Sequence, residues 1–400
     1  MNKLIERKGY FEQLSVWREK EVIKVVTGVR RCGKSTLFSL YIEQLKRDNI
    51  TDDQIILINL EDEDNAELLD YKKLHEYVKT RICKDKWTYL FIDEIQNCKD
   101  YEKAVSSLYL KKKLDIYITG SNAYILSGEL ATKLTGRYIQ IDMLPFSFVE
   151  FNKAIRIIDK RDCFNRYINQ GAFPYTINFD NSLSHSQYLE GIYNTIMVKD
   201  IMHRKGLNDI SLLKSIALFL ASNIGSPVSA KKIADTLTSS GRPTGSATID
   251  TYLEALSDSY LFYKVKRYDI KGKMHLKTES KYYICDTGLR NIILGISNKD
   301  IGHIIENIVF LELLRRGYKI NIGKTGRSTE VDFIAIRNMQ TEYYQVSASV
   351  LDQNTLDREL SSLWQIKDNY PKFLLTLDDY SIDYDGIKQI NLIDWLSTNC

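Results

Sequence analysis

The sequence lacks paired cysteines. None of its six cysteines belongs to a C-x-x-C pair; they are scattered as Cys32, Cys83, Cys98, Cys163, Cys285 and Cys400. Zinc ribbons need closely spaced thiolates, and small disulfide-stabilised folds need a dense cysteine framework. The spacing argues against both classes. It is typical of a protein in a reducing compartment, so we expect a cytoplasmic location.

The sequence also lacks a long apolar run. No stretch approaches the ~20 residues that a membrane-spanning helix needs. The opening segment, MNKLIERKGYFEQL, is polar and does not have the apolar centre of a secretory signal. We therefore expect no membrane partner and no secretory leader.

Neither sign of charge is in excess. Lys and Arg number 55 and Asp and Glu number 52, so net charge does not indicate nucleic-acid binding, and any basic surface must be local. Proline is scarce at 5 residues, while the hydrophobic fraction of 44% and the charged fraction of 27% are ordinary for a globular protein. A chain of 400 residues exceeds one small core, so two or three domains are expected.

The most informative segment is residues 22–36, which read VIKVVTGVRRCGKST. An apolar β-branched run leads into Gly28, and Gly33-Lys34-Ser35 completes the G-x-x-x-x-G-K-S pattern of a phosphate-binding loop (P-loop) between a strand and a helix. The glycines allow a tight backbone whose N–H groups face phosphate oxygens. Lys34 would contact the β- and γ-phosphates, and the Ser35 hydroxyl would bind Mg²⁺. A chance glycine loop is the alternative, which the surrounding strand and helix signals disfavour.

A second signal lies at the end of a later apolar strand. The run Tyr89-Leu90-Phe91-Ile92 is followed directly by Asp93 and Glu94. This is the Walker B arrangement, in which Asp93 would complete the Mg²⁺ shell and Glu94 would polarise the attacking water. The alternative is a solvated strand end, where such acids are common. The preceding P-loop favours the functional interpretation.

A third signal ends the fourth predicted strand, residues 115–119. This strand is followed by Gly120-Ser121-Asn122, and the polar side chains of Ser121 and Asn122 would contact the γ-phosphate. A plain strand-to-helix turn with Asn122 as a cap is the alternative. Strands that alternate with helices in this way predict a parallel, doubly wound α/β sheet with its ligand at the carboxyl ends of the strands.

The segments GVRRCGKST, YLFIDEIQN, TGSN, and LTGRY followed by LPFSFVEF resemble those of the AAA-type ATPases of bacteria and archaea that carry a C-terminal domain of unknown function. The resemblance implies a five-stranded AAA-like sheet in which the TGSN strand lies between the P-loop and Walker B strands. It also implies Glu94 as the catalytic base and Ser121 or Asn122 as a sensor. Arg137 matches the arginine that reaches a neighbouring subunit's nucleotide, although a structural ion pair is an equal alternative.

These arguments give a set of predicted site residues. The nucleotide-binding set also includes Arg31, at a variable position inside the P-loop motif, and Thr36, directly after it. Lys34 counts as both a binding and a catalytic residue. The nucleotide-binding residues are Gly28, Arg31, Gly33, Lys34, Ser35, Thr36, Ser121 and Asn122; the metal ligands are Ser35 and Asp93; the catalytic residues are Glu94, Lys34 and Arg137.

Residues 1–145 are expected to form the ATPase domain. Two segments that contain mainly helices are expected to follow it. Residues 146–210 are expected to form a helical lid or linker. Residues 211–285 predict three helices and a hairpin that turns at Lys271-Gly272-Lys273, which together indicate a winged helix. A face that would bind DNA or RNA carries Lys231, Lys232, Arg242, Lys264, Arg267, Lys271 and Lys273. Interspersed acids leave a protein-docking surface as an equal alternative.

Residues 286–400 resemble a restriction-endonuclease-like α/β core. Glu306 lies on a predicted helix, Asp332 on a strand reading EVDF, and the next strand carries Gln345 and Ser347. An active member of that fold would have a carboxylate and a lysine at the last two positions. The domain is therefore expected to be a degenerate nuclease, with Arg358 and Glu359 as candidate replacement partners.

The sequence thus predicts an ATPase that uses ATP and Mg²⁺, with an oligomer as an expected assembly. Its first predicted role is a switch that acts on nucleic acid. The rival is an NTP-gated signalling or docking protein with a protein partner. An active ATP-dependent nuclease is the third and least favoured hypothesis, because Gln345 and Ser347 depart from the pattern.

Overall fold

The computed structural model of the protein describes residues 4–126, 134, 136–179, 181–203, 206–272, 274–295, 300–326 and 329–398. The chain divides into two compact units. The first contains the residues up to Met143 together with Asp258–Tyr260, and the second contains Leu144–Ser257 and the residues from Leu261 onward. None of the helices in the described residues is long and apolar enough to span a bilayer.

The first unit is built on a five-stranded parallel sheet in the order β2-β3-β4-β1-β5. The TGSN strand, β4, therefore lies between the P-loop strand β1 and the Walker B strand β3, which confirms the order that the resemblance implied. The strands are β1 (Ile23–Thr27), β2 (Ile55–Asn59), β3 (Thr88–Asp93), β4 (Leu114–Gly120) and β5 (Tyr138–Asp142). The helices are α1 (Lys8–Val16), α2 (Lys34–Arg47), α3 (Tyr71–Lys79) and α4 (Tyr101–Tyr109).

Burial explains why these runs form the interior strands. All residues of β1, β3 and β4 are buried, as expected for strands covered on both faces by helices. One face packs aliphatic side chains against α3 and α4, among them Leu74, Val105 and Leu108. The other face packs aromatic rings, and Phe91 stacks on Tyr117 with ring centroids 4.6 Å apart. Two covered faces hold the strand ends in register.

The second unit begins with helices. These are α5 (Phe148–Ile155), α6 (Lys160–Gln170), α7 (Ser182–Thr195), a π-helical segment Ile196–His203, α8 (Ile210–Ser222), α9 (Ala230–Ser239) and α10 (Ser246–Asp258). The last three agree with the three helices expected for the winged helix, and Ser229 caps α9 by accepting a hydrogen bond from the Lys232 amide at 3.2 Å. Their function as a winged helix stays a prediction.

The rest of the second unit forms one eight-stranded sheet in the order β12-β13-β11-β10-β9-β8-β6-β7. Its strands are β6 (Phe262–Asp269), β7 (Met274–Ile284), β8 (Lys319–Lys324), β9 (Glu330–Arg337), β10 (Gln340–Val346), β11 (Lys372–Thr376), β12 (Asp383–Tyr384) and β13 (Ile387–Asn391). Its helices are α11 (Thr287–Leu294), α12 (Ile301–Arg315), α13 (Gln353–Trp364) and α14 (Leu392–Ser397).

The β6–β7 hairpin is where this fold differs from the sequence-based expectation. The sequence assigned it to a separate segment that ends at residue 285. In the structure β6 pairs in parallel with β8, so the sheet of the C-terminal region continues into the hairpin. The tip residue Lys273 lies outside the described residues.

Candidate nucleotide-binding site

The P-loop follows directly from the end of β1. Gly28 has φ +149°, and a Cβ there would lie 2.1 Å from the Met143 carbonyl oxygen, so only glycine fits. Gly33 has φ +106° and caps α2, which begins at Lys34. The loop therefore ends on the amino terminus of a fourteen-residue helix, where backbone N–H groups and the helix dipole favour phosphate.

The Lys34 ammonium lies inside this loop. Its Nζ donates to the carbonyl oxygens of Gly28 at 3.0 Å and Val29 at 3.3 Å, and it lies 3.7 Å from Glu94 Oε1. Lys34 is only 4% exposed. Exchange of the two carbonyl contacts for phosphate oxygens would strengthen its hydrogen bonds, because both partners would then be charged.

Ser35 and Asp93 meet beside the loop. The Asp93 carboxylate accepts hydrogen bonds from the Ser35 hydroxyl and from Thr119 Oγ1. Burial raises the pKa of Asp93, although both hydroxyls and Lys34 oppose the rise. A hydroxyl and a carboxylate side by side are the ligand types that Mg²⁺ prefers, and a divalent ion would favour the ionised carboxylate. These two residues therefore fit the predicted metal shell.

Glu94 follows Asp93 in a backbone conformation that is rare for a non-glycine residue. Its φ is +53°, and its amide donates to Thr119 Oγ1 at 2.9 Å. Its Oε2 accepts a hydrogen bond from Gln96 Nε2. Burial would raise the pKa of Glu94, but Lys34, Gln96 and Arg30 outweigh it, and the net shift is downward. The carboxylate is thus held ionised, as a proton acceptor must be.

The two candidate sensors follow β4. Ser121 is fully buried and Asn122 is 2% exposed. Gln96 Nε2 lies 3.5 Å from Ser121 Oγ, so Gln96 links Glu94 to the sensor strand. The register of the sheet explains this meeting, because Ile92 pairs with Ile118 and thereby places the residues after β3 beside those after β4.

The remaining predicted loop residues lie at the surface. Arg31 and Thr36 are exposed, and Arg31 has φ +67°. The sequence motifs did not identify Gln96 or Arg30. Arg30 is next to Arg31, and its Nη1 lies 2.8 Å from Glu61 Oε1. Arg30 lies at a variable position of the P-loop pattern, and no pattern marks Gln96, so the motifs carried no signal for them.

Arg137 lies at the opposite end of the sheet. Its carbonyl oxygen accepts from the Ile23 amide at 2.8 Å, which places it at the amino end of β1, whereas the P-loop leaves the carboxyl end. Its guanidinium lies 5.3 Å from the centroid of the Tyr109 ring. Four residue steps along a strand separate the two ends by about 13 Å, so Arg137 does not join the site of its own unit.

Two arginines of the predicted basic face form ion pairs with acidic side chains. Arg242 Nη2 lies 2.6 Å from Asp209 Oδ2, and Arg267 lies 2.8 Å from Glu279 and 3.1 Å from Glu330. Both arginines are therefore engaged within the unit. The exposed members of the face are Lys231, Lys232, Lys264 and Lys271.

The nuclease-like residues of the second unit come together. Asp332 and Glu306 lie around one lysine, Lys281, which the motifs did not identify. Gln345 Nε2 donates to Glu359 Oε2 at 2.7 Å, so Glu359 does reach this cluster. Arg358 pairs with Glu359 at 2.7 Å, but its side chain is 72% exposed and points away.

Two family models match the chain. One, described as an AAA domain, matches residues 20–152, and the other, described as a domain of unknown function, DUF8612, matches residues 161–300. The first match spans the P-loop, the Asp93–Glu94 pair, Ser121, Asn122 and Arg137. Residues 20–152 are therefore an AAA-type P-loop ATPase domain, a family that binds nucleotide, typically with Mg²⁺.

Two relatives match over nearly the whole chain. An uncharacterized protein of Haemophilus influenzae is 41% identical over 401 residues, which covers 98% of both chains. The uncharacterized protein MJ1544 of Methanocaldococcus jannaschii is 32% identical and covers 93% of this chain and 85% of that protein. This chain belongs to their family. The whole arrangement of an AAA domain and a C-terminal region is therefore shared with proteins of a bacterium and an archaeon.

Solved structures show weaker similarity. The ORC1 protein of Aeropyrum pernix in complex with DNA is 10% identical, covers 73% of this chain and 93% of that chain, and has a TM-score of 0.34. Cdc6p of Pyrobaculum aerophilum is 12% identical, covers 78% and 96%, and has a TM-score of 0.31. At these TM-scores the likeness supports no argument about this family member.

Proposed function

We propose that this protein is an ATP-driven switch that binds ATP with Mg²⁺ at its P-loop and hydrolyses it with Glu94 as the base. One observation carries the proposal. An ionised Glu94 carboxylate lies 3.7 Å from the P-loop lysine, next to the Ser35–Asp93 pair. Base, cation and metal ligands therefore meet at the carboxyl edge of one sheet, where doubly wound folds bind ligands.

Each side chain has a separate task in this proposal. Lys34 would bind the β- and γ-phosphates, while Ser35 and Asp93 would hold Mg²⁺, which supplies charge neutralisation when bound. Glu94 would orient a water molecule and accept its proton. Gln96, which donates to Glu94, would fix the direction of that carboxylate. Ser121, Asn122, Arg31 and Thr36 would complete the nucleotide contacts.

The position of Arg137 supports assembly. Because it lies at the amino end of the strands, away from the P-loop of its own unit, a nucleotide that it contacts would belong to a neighbouring molecule. The proposed active form is therefore an oligomer whose sites lie between subunits. The stacking of Arg137 on Tyr109 supports the rival, a structural role.

We propose nucleic acid as the first target of the switch. The supporting observation is the set of four exposed lysines on α9 and the hairpin, since exposed cations are what bind a phosphate backbone. The internal ion pairs of Arg242 and Arg267 instead favour the second candidate, a docking ATPase with a protein partner, because they remove two cations from the face.

A salt-dependent binding assay separates the two candidates. Wild-type protein is titrated with a DNA duplex and with single-stranded RNA at several salt concentrations, and ATPase activity is followed in parallel. The nucleic-acid role predicts binding that weakens steeply with salt, weakens further when Lys231 and Lys232 are both changed to Ala, and changes the ATPase rate. If neither nucleic acid binds at low salt and the ATPase activity does not change, the nucleic-acid role is excluded and the docking role remains.

A further inference from the structure

The second unit contains a lysine surrounded by carboxylates. Lys281 Nζ on β7 lies 2.9 Å from Glu330 Oε1, 3.1 Å from Glu306 Oε1 and 3.7 Å from Asp332 Oδ1. Its side chain is only 5% exposed. The ammonium is within hydrogen-bond distance of Glu306 on α12 and Glu330 on β9, and Asp332 on β9 lies within ion-pair distance.

Each carboxylate also has a second protein partner. Tyr283 Oη donates to Glu306 Oε1 at 2.7 Å, Arg267 Nε lies 3.1 Å from Glu330 Oε2, and the Val346 amide donates to Asp332 Oδ2 at 2.9 Å. No acid of this cluster therefore depends on an external ligand for a partner.

The acids of the cluster outnumber its cations, and the excess of negative charge would be larger without Lys281. Three acids face one lysine and one arginine, and that arginine is shared with Glu279. Burial, followed by the Glu306 charge, raises the pKa of Asp332 well above its ordinary value. Burial alone would lower the pKa of Lys281, but Glu306, Asp332 and Glu330 outweigh it and raise it. Lys281 is thus the central counter-charge of a buried acidic group.

A divalent ion would compete with Lys281 for the same space. Carboxylate oxygens bind Mg²⁺ at about 2.0–2.1 Å and Ca²⁺ at about 2.3–2.6 Å. In this cluster the Lys281 ammonium lies between the carboxylates instead. Within the described part of the chain, no group of three or more His, Cys, Asp or Glu side chains is arranged to hold a metal ion.

We propose that Lys281 is the resident cation of this cluster and occupies the place of a divalent metal ion. Because Lys281 and Arg267 belong to the β6–β7 hairpin and their acids to α12 and β9, the cluster fastens the hairpin to the rest of the sheet. The second unit then contains a charge cluster with a binding or scaffolding role in place of a metal-dependent catalytic centre. The cluster lies within the second unit, and its role does not depend on ATP hydrolysis.

The first test counts metal ions on the full-length, nucleotide-free protein. Mn²⁺ is titrated into the wild type and the Asp332→Asn variant, and free Mn²⁺ is followed by electron paramagnetic resonance. The proposal predicts the same number of bound ions for both proteins. A bound ion that Asp332→Asn loses would show that the wild-type cluster holds a metal, and it would overturn the proposal.

The second test removes the resident cation. Lys281→Ala leaves room for an ion, whereas Lys281→Met fills the space, and both should melt several degrees below the wild type because a buried charge loses its partner. Mn²⁺ should then raise the melting temperature of Lys281→Ala more than that of Lys281→Met or the wild type. The matched control is Lys24→Met, which leaves the single carboxylate Asp115 and should show no Mn²⁺ response.

A charge-balanced variant keeps the test decisive if the single variants do not fold. Adding Glu306→Gln to Lys281→Met removes one negative charge and keeps an oxygen that accepts from Tyr283. The double variant should recover part of the lost melting temperature. A double variant no more stable than Lys281→Met, or a Lys281→Ala protein that melts like the wild type, would contradict the role of Lys281 as counter-ion.

Discussion

The carboxylate of Glu94 lies 3.7 Å from the ammonium of Lys34, measured from Oε1 to Nζ. The pair joins the acid that follows β3 to the first residue of α2, and the two residues are sixty positions apart in the chain. An attraction this close keeps Glu94 ionised and directs it at the loop where phosphate would bind. The proposed chemistry of this protein depends on that relationship.

Lys34→Ala should abolish tight nucleotide binding. A hydrogen bond to a charged group contributes about 1.5–3 kcal/mol, which corresponds to a loss of roughly 10- to 150-fold in affinity. Titration with a fluorescent ATP analogue measures the effect. Lys46→Ala, on the exposed side of the same helix, is the matched control and should bind normally. Equal affinities of the two variants would remove Lys34 from the site.

The Arg137→Ala substitution should remove the dependence of specific ATPase activity on protein concentration. If Arg137 acts across a subunit boundary, specific ATPase activity of the wild type rises with protein concentration, and the variant loses that rise. Arg81 serves as the control, because its guanidinium also covers a tyrosine ring, 3.6 Å from the Tyr77 centroid. Activity proportional to concentration throughout, with a fully active Arg137→Ala protein, would make Arg137 structural.

The stability of the second unit should depend on the protonation of Asp286. This acid is 3% exposed, and its carboxylate accepts from the Ala172 amide at 2.6 Å and the Leu289 amide at 3.0 Å. Burial raises its pKa from 3.8 to about 6, against the opposing effect of those amides. The folded state thus binds the proton more tightly than the unfolded state, and stability from this group falls as pH rises from about 4 to 6.

The Asp286→Asn variant isolates this effect. Between pH 7 and pH 4 the wild type should gain about 2 kcal/mol in free energy of unfolding relative to Asp286→Asn. Urea unfolding of both proteins across that range measures the difference. A difference that does not change with pH, or one that changes with the opposite sign, would contradict the raised pKa.

The wild type should not cleave DNA or RNA with Mg²⁺ or Mn²⁺, with or without ATP. Ser347 stands where an active nuclease has a lysine, and its hydroxyl donates to the Ser349 carbonyl oxygen at 3.1 Å. A hydroxyl does not supply the positive charge that stabilises the phosphate transition state, and Lys281, the lysine beside Asp332, is already paired with Glu306 and Glu330. Incubation with single- and double-stranded substrates checks this. Robust cutting that disappears in Asp332→Ala would overturn the degenerate-nuclease interpretation.

The sequence predicted the positions of the P-loop and strand-end residues better than the contacts of the second unit, for a physical reason. Gly28, Lys34 and Asp93 belong to short contiguous motifs whose backbone geometry follows from local order along the chain. The strand order followed from the resemblance and is confirmed. Gln96 and Arg30 escaped notice because their side-chain contacts depend on how β3, β4 and the P-loop meet, which no local pattern encodes.

The second unit contains contacts between distant residues that local sequence patterns do not predict. Lys281 lies 25 residues before Glu306 and 51 before Asp332, on a hairpin that the sequence assigned to a different segment. The parallel pairing of β6 with β8 joins its hairpin to the sheet that carries Asp332. Glu359 was anticipated as a replacement partner and contacts Gln345, whereas Arg358 lies at the surface.

The central claim is that Glu94 is the base of an ATP-hydrolysing site, and Glu94→Gln tests it most directly. The carboxamide keeps the size of the side chain but does not accept a proton at neutral pH. ATP binding should persist, while turnover with Mg²⁺ should fall by roughly 100- to 10,000-fold. Glu61→Gln, at the end of the neighbouring strand, should retain near-normal turnover. Wild-type turnover in Glu94→Gln would contradict the account.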